Sequence, residues 1–270
     1  SKEGISPLFD GMNCPGMTRL LLERGAKPDV GISTGWTPLT GAAYFGYEDA
    51  VEPLLEYGAS VDLEYGTGIE EVGSEGLKGW TPAMCAASNG YHDIFRTLAE
   101  AGANLQHRSL KFEQPLIHLA AFCDTLPTGL EFPSRIDVNQ VDNEGWAAIH
   151  FSSMSFGNLK RIVNAGANIE LQNNNGDTAL TVVAPFDLEK TTYLIKRGAN
   201  INHVSPWYGS ALHQACRSAN LDIIKFLIDK GADINSVCNS VSGTPLQSLC
   251  IKREIIEDSR HEELVRYLFS

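Results

Sequence analysis

The sequence predicts an all-α fold, a solenoid of stacked helix-turn-helix units joined by turns and hairpin loops, and three observations predict it. A segment of the form x-G-A-x-(I/V/L)-(N/D/E) recurs as RGAKPD, YGASVD, AGANLQ, AGANIE, RGANIN and KGADIN. A second segment stands about 21 residues before these turns: TPLTGAA at 37, TPAMCAA at 81, PLIHLAA at 115, AAIHFSS at 147, TALTVVA at 178, SALHQAC at 210 and TPLQSLC at 244. Between the two lie stretches such as LDIIKFLIDKG, whose Ile and Leu residues can fill the interface with a neighbouring unit.

The turn glycines stand at 25, 58, 102, 166, 198 and 231, so the steps between them are 33, 44, 64, 32 and 33 residues. The step of 44 is one unit plus an insertion of 11, and the step of 64 is two units short by two residues. The concealed copy is SRIDVN at 134–139, where Arg135 and Ile136 replace the Gly-Ala pair. Eight units follow within a single domain 1–270, roughly 4–33, 34–77, 78–110, 111–143, 144–174, 175–205, 206–239 and 240–270.

Local chemistry accounts for the elements in order. In the second and third units Thr37 and Thr81 start the first helix as caps, and Pro38 and Pro82 fit its first turn, where a missing N–H has no partner to lose. Pro53 inside VEPLLEYG removes a helical hydrogen bond, which predicts a local kink. The stretch EYGTGIEEVGSEGL at 64–77 then extends the connection and carries Glu64, Glu70, Glu71 and Glu75 with no base. It is read either as a solvated loop or as an acidic finger that meets a basic partner. In the fourth unit Pro127, Gly129 and Pro133 oppose a regular second helix. The fifth, sixth and seventh units repeat the pattern, and KREIIEDSRHEE at 252–263 lengthens the helices of the last. Each small-residue pair allows close helix packing, and each turn glycine supplies the left-handed conformation that ends the second helix. One unit cannot bury its apolar face alone, so stability comes from stacking.

This period and its T-P-L-H-x-A signature resemble the ankyrin repeat over nearly the whole chain. The resemblance implies a non-catalytic scaffold or adaptor that binds a protein or peptide on its concave face. It also implies that His118, His150 and His213, at the H of the signature, hydrogen-bond to turn backbone between units. The turn residues Asn139, Asn202 and Asn235 become candidates for asparagine hydroxylation on the same ground.

Composition narrows the function. With 43% apolar and 20% charged residues the chain is an ordinary globular protein, and no run of about 18 apolar residues is present to insert in a membrane. A net charge of −12 argues against nucleic acid and favours partners with basic residues. Six scattered cysteines without a CxxC pair argue against zinc or a disulfide framework, and Cys85, Cys123, Cys216 and Cys250 are expected as buried thiols. No G-x-S-x-G, P-loop, HExxH or dinucleotide motif is present, so neither a catalytic site nor a cofactor nor a metal is expected. An intracellular monomer, cytoplasmic or nuclear, is the expected setting.

Three of the four tryptophans, Trp36, Trp80 and Trp146, take one variable place between the turn glycine and the signature. Trp207 and Tyr208 lie at the corresponding turn of the seventh unit, and Gln114, Asp177 and Gly243 take the place elsewhere. Tyr44, Phe45, Ser88, Asn89, Phe122 and Met154 follow the small-residue pairs beside this row. Two readings stand: the aromatics cover neighbouring turns, or they anchor a partner as Trp and Tyr do in binding hot spots. Nearby Asp49, Glu70, Glu71, Asp142, Glu144 and Asp177 would favour Lys or Arg in such a partner. The chain begins without Met inside a first unit and ends at ELVRYLFS, where a closing turn is due. The rival expectation is therefore a targeting or regulatory segment of a larger enzyme or receptor.

Overall fold

The computed structural model describes residues 6–14, 16–66, 75–110, 113–122, 136–151, 155–238 and 243–250, with the side chains of Glu75, Phe122 and Cys250 outside this set. The second helix of the fourth repeat and the 252–263 extension lie outside the described residues. Two compact units meet in sequence at Asn143 and Glu144, the border inferred between the fourth and fifth repeats.

In the first unit the helices are α1 (Pro7–Gly11), α2 (Met17–Glu23), α3 (Pro38–Phe45), α4 (Glu48–Glu56), α5 (Pro82–Asn89), α6 (His92–Glu100) and α7 (Leu116–Phe122). The first helices stack as α3 on α5 on α7, the second helices as α2 on α4 on α6, and each pair closes on itself. Leu39, Leu54, Met84, Phe95, Leu98 and Leu116 are almost wholly buried between these layers. Helix α4 runs unbroken through Pro53, with the Tyr57 N–H donating to the Pro53 carbonyl.

In the second unit the helices are α8 (Ala148–Phe151), α9 (Phe156–Asn164), α10 (Ala179–Val183), α11 (Leu188–Lys196), α12 (Ala211–Ser218), α13 (Leu221–Asp229) and α14 (Pro245–Cys250). Here α8, α10, α12 and α14 form the layer of first helices, and α11 packs on α13. Ile149, Leu159, Leu194, Leu212, Ile223 and Leu227 fill its core. Among the described residues there is no extended strand, only isolated bridges such as Ser205 with Gly209.

The letters of the repeat act as anticipated. Thr37, Thr81, Thr178 and Ser210 each cap a first helix by accepting the N–H three residues on. The six turn glycines have φ between 86° and 98°, a region costly to any residue with a Cβ. In four of the six turn motifs the closing acidic or amide residue has a further task. Asp29 accepts from the Ser60 N–H at 2.9 Å, Asp62 from Asn104 at 2.9 Å, Glu170 from Asn200 at 2.8 Å and Asn202 from Asp233 at 2.8 Å. A side chain of one repeat therefore satisfies an orphan donor in the next, which fixes the register of the stack.

The hairpins have an equally regular closure. The residue seven places after the turn glycine donates its N–H to the carbonyl of the variable place: Ile32 to Trp36, Ser109 to Gln114, Asn173 to Asp177, Ser205 to Gly209 and Cys238 to Gly243. In the second repeat Tyr65 makes this bond to Trp80, at 2.8 Å, across the insertion. Tyr65 thus belongs to the core rather than to the acidic loop in which the sequence placed it. Its ring is 1% exposed and its hydroxyl donates to the Thr34 carbonyl at 2.9 Å.

Candidate protein-interaction surface

The variable place puts a side chain beside the hairpin while its backbone carbonyl is spent on hairpin closure. Trp36, Trp80 and Trp146 are each half-buried there. Around Trp36 the rings touch: Tyr65 lies 4.4 Å away between centroids, Tyr44 4.7 Å and Phe45 5.4 Å. Tyr44 and Phe45 meet edge to face at 5.2 Å, and Tyr47 stacks on Phe45 at 5.9 Å. Tyr91, from the next repeat, lies over Gly46, where an added Cβ would stand 2.6 Å from its ring. The surface thus grades from fully buried Tyr65 to Phe45 at 44% and Tyr91 at 37% exposure.

Tyr47 and Tyr91 were not among the residues anticipated from sequence, and both depart from the local pattern of the repeats. Each is the N-cap residue of a second helix, α4 or α6, and neither side chain makes a capping hydrogen bond. In the second unit the same place holds Ser155, Asp187 and Asn220, and each of these caps its helix. A missing cap costs a helix about 1 kcal/mol. The pairs Gly46-Tyr47 and Gly90-Tyr91 displayed this substitution in the sequence, in consecutive repeats.

The other anticipated residues divide by what they already hold. Ser88 Oγ and Asn89 Nδ2 both donate to the Cys85 carbonyl, at 3.1 and 3.0 Å, and so finish α5. Gln114 is half-buried, its backbone bonded to Ser109, while the side chain of Phe122 lies outside the described residues. In the second unit Trp146 packs against His150 at 5.5 Å and Phe151 at 5.7 Å. Asp177 is buried inside its turn, its N–H donating to Asn173 Oδ1 at 2.9 Å. Trp207 at 60% and Tyr208 at 43% are exposed on a hairpin tip, with the Arg217 guanidinium 5.9 Å from the Tyr208 ring. Of the acidic insertion, Glu64 lies 3.4 Å from His107 Nε2. Glu70 and Glu71 lie outside the described residues, and Glu75 opens a short 3-10 turn.

The signature histidines are structural. His118 Nε2 meets the Gln140 carbonyl at 3.0 Å, His150 that of Leu171 at 3.0 Å and His213 that of Gly243 at 3.1 Å. The Ala147 N–H donates to His150 Nδ1, so Nε2 carries the proton of a neutral ring. Burial pushes the pKa of His150 and of His213 below the ordinary histidine value. Cys85, Cys216 and Cys238 are buried thiols, and burial raises Cys216 to about 12, well away from a reactive thiolate. Among the described residues no group of His, Cys, Asp or Glu could hold a metal ion, and no helix is long and apolar enough to cross a membrane.

The family profile described as "Ankyrin repeats (3 copies)" matches residues 150–238 and 183–270, and that described as "Ankyrin repeat" matches 34–64 and 78–110. The chain is 32% identical over 111 residues to the intracellular phospholipase A2 of Caenorhabditis elegans, a match covering 37% of the chain and 10% of that protein. It is 27% identical over 221 residues to ankyrin repeat and KH domain-containing protein mask-1 of the same organism, covering 81% of the chain and 7% of that protein. The chain therefore spans a tenth or less of the length of these two relatives.

Proposed function

The chain belongs to the ankyrin-repeat family, whose repeats generally mediate protein–protein interaction, and we propose that it is a non-catalytic adaptor that holds a protein or peptide on the Trp36, Tyr44, Phe45, Tyr47 and Tyr91 rings. One observation supports this placement most. Two consecutive helices give up the side-chain caps that the later second helices keep, and both of the replacing residues are tyrosines that extend one patch of rings. A local rule broken twice in the same direction marks function rather than folding. Rigid aromatics offer large contact area at small entropic cost, which suits them as anchors. The half-buried Trp80 and Trp146 and the exposed Trp207 and Tyr208 are secondary contacts in this reading, and the partner carries basic residues to match the −12 charge.

The test is to recover partners from a native lysate with the parent chain and with Phe45→Ala and Tyr47→Ser. The serine variant restores a cap, so its unfolding midpoint should stay close to that of the parent while partners are lost. Partners retained in full by both variants would remove the ring patch from binding. A second reading is favoured by the phospholipase relative, in which the match covers a small part of a longer enzyme. In that reading the chain is the targeting or regulatory segment of a multidomain protein, and a full-length reading frame encoding a catalytic region would establish it.

A further inference from the structure

The second helices of the first three repeats enclose a groove of about 440 Å³, lined from α2, α4 and α6 and by none of the rings described above. Buried Val51, Pro53 and Ile94 make part of its wall apolar, and exposed Glu48, Asp49 and Glu52 bring three carboxylates to it. Among the described residues none of these three carboxylates makes an ion pair. The one cation on the lining, Arg19, is engaged by Glu56 at 2.7 Å, and that contact raises the pKa of Arg19 and lowers that of Glu56.

Pro53 stands at the place in α4 whose N–H would serve the Asp49 carbonyl, and proline has none to give. The groove thus combines a partly non-polar wall with three anionic side chains. The positive end of the α4 dipole, about half a charge, is outweighed by three full negative ones. A lysine fits this set: its aliphatic stem lies on apolar surface while three ammonium donors reach separate oxygens.

We propose that this groove is a second docking surface and that its occupant is a lysine-bearing segment of a partner protein. It goes beyond the aromatic patch and is tested apart from it. Short labelled peptides repeating Ala-Leu-Lys or Ala-Leu-Glu are titrated with the full chain by fluorescence anisotropy. The lysine peptide is expected to bind about 10-fold tighter than the glutamate peptide or better. Combined Glu48→Gln, Asp49→Asn and Glu52→Gln should weaken it about 10-fold, and Trp36→Ala should leave it unchanged. Glu52→Gln alone, which spares the first turn of α4, should weaken it roughly threefold. Equal binding of the two peptides, no saturable binding of the lysine peptide, or parental affinity in the triple variant would overturn the proposal. So would a loss confined to Trp36→Ala, which would move lysine recognition to the rings.

Discussion

Ala219 ends α12 with φ 56°, the left-handed conformation that Gly46 and Gly90 supply at the ends of α3 and α5. An L-residue held there costs about 1–2 kcal/mol, and Ala219 is exposed with no packing to offset it. Ala219→Gly should therefore raise the unfolding free energy by about 1 kcal/mol, read from urea denaturation at unchanged slope, even though glycine loosens the unfolded chain. No gain would mean that the loop relieves the strain itself. At this scale much was legible in the sequence: the Thr caps and the turn glycines follow from residues that recur at one place, and the bonding of His118, His150 and His213 is what the resemblance to the ankyrin repeat implies. Tyr65 was not, because the insertion after it separates it in sequence from Trp80 and its partners, Trp36 and Trp80, come from two different repeats. The ring patch was half legible, since Trp36, Tyr44 and Phe45 are close in sequence but Tyr91 joins them only through stacking.

The hairpins predict which part of the insertion folding can spare. Elsewhere the closing pair is separated by a few residues, as Ile32 and Trp36 are, and the Tyr65 to Trp80 closure tolerates a far longer loop between the same bonds. Lengthening a loop in this way costs only about 1 kcal/mol of closure entropy. Replacing residues 67–76 with a short Gly-Ser link should leave the unfolding midpoint unchanged or slightly higher. Tyr65→Ala should lower stability by about 3 kcal/mol, as for other large buried aromatics. Tyr65→Phe should lower it by about 1 kcal/mol through the lost bond to Thr34. A severe loss on shortening the loop, with Tyr65→Ala tolerated, would reverse the roles assigned to them. Pro53 lies inside α4, which continues to Glu56 and packs against its neighbours α2 and α6.

Within each compact unit the repeats are coupled by side chains that satisfy the next turn and by histidines that reach the next hairpin. The histidine couplings make stability depend on pH. His150 and His213 have folded pKa values lowered from 6.5 by burial, so above 6.5 they are neutral whether the chain is folded or not, and their bonds contribute fully. As pH falls below 6.5 the unfolded chain takes up protons that the folded one resists, and stability is lost toward the lower folded values. The unfolding midpoint should drop on going from neutral pH toward 5, and the drop should shrink when both histidines are replaced by glutamine.

The most direct test of the central claim, that the ring patch is where a partner binds, compares two exposed phenylalanines. Phe45 is 44% exposed within the patch, whereas Phe186 is 81% exposed in the α10 to α11 turn. With a partner recovered by the parent chain, the dissociation constant is measured for Phe45→Ala and Phe186→Ala. The account predicts a loss of about 2 kcal/mol, roughly 30-fold, for Phe45→Ala and less than about threefold for Phe186→Ala. Equal losses, or a loss confined to Phe186→Ala, would contradict it.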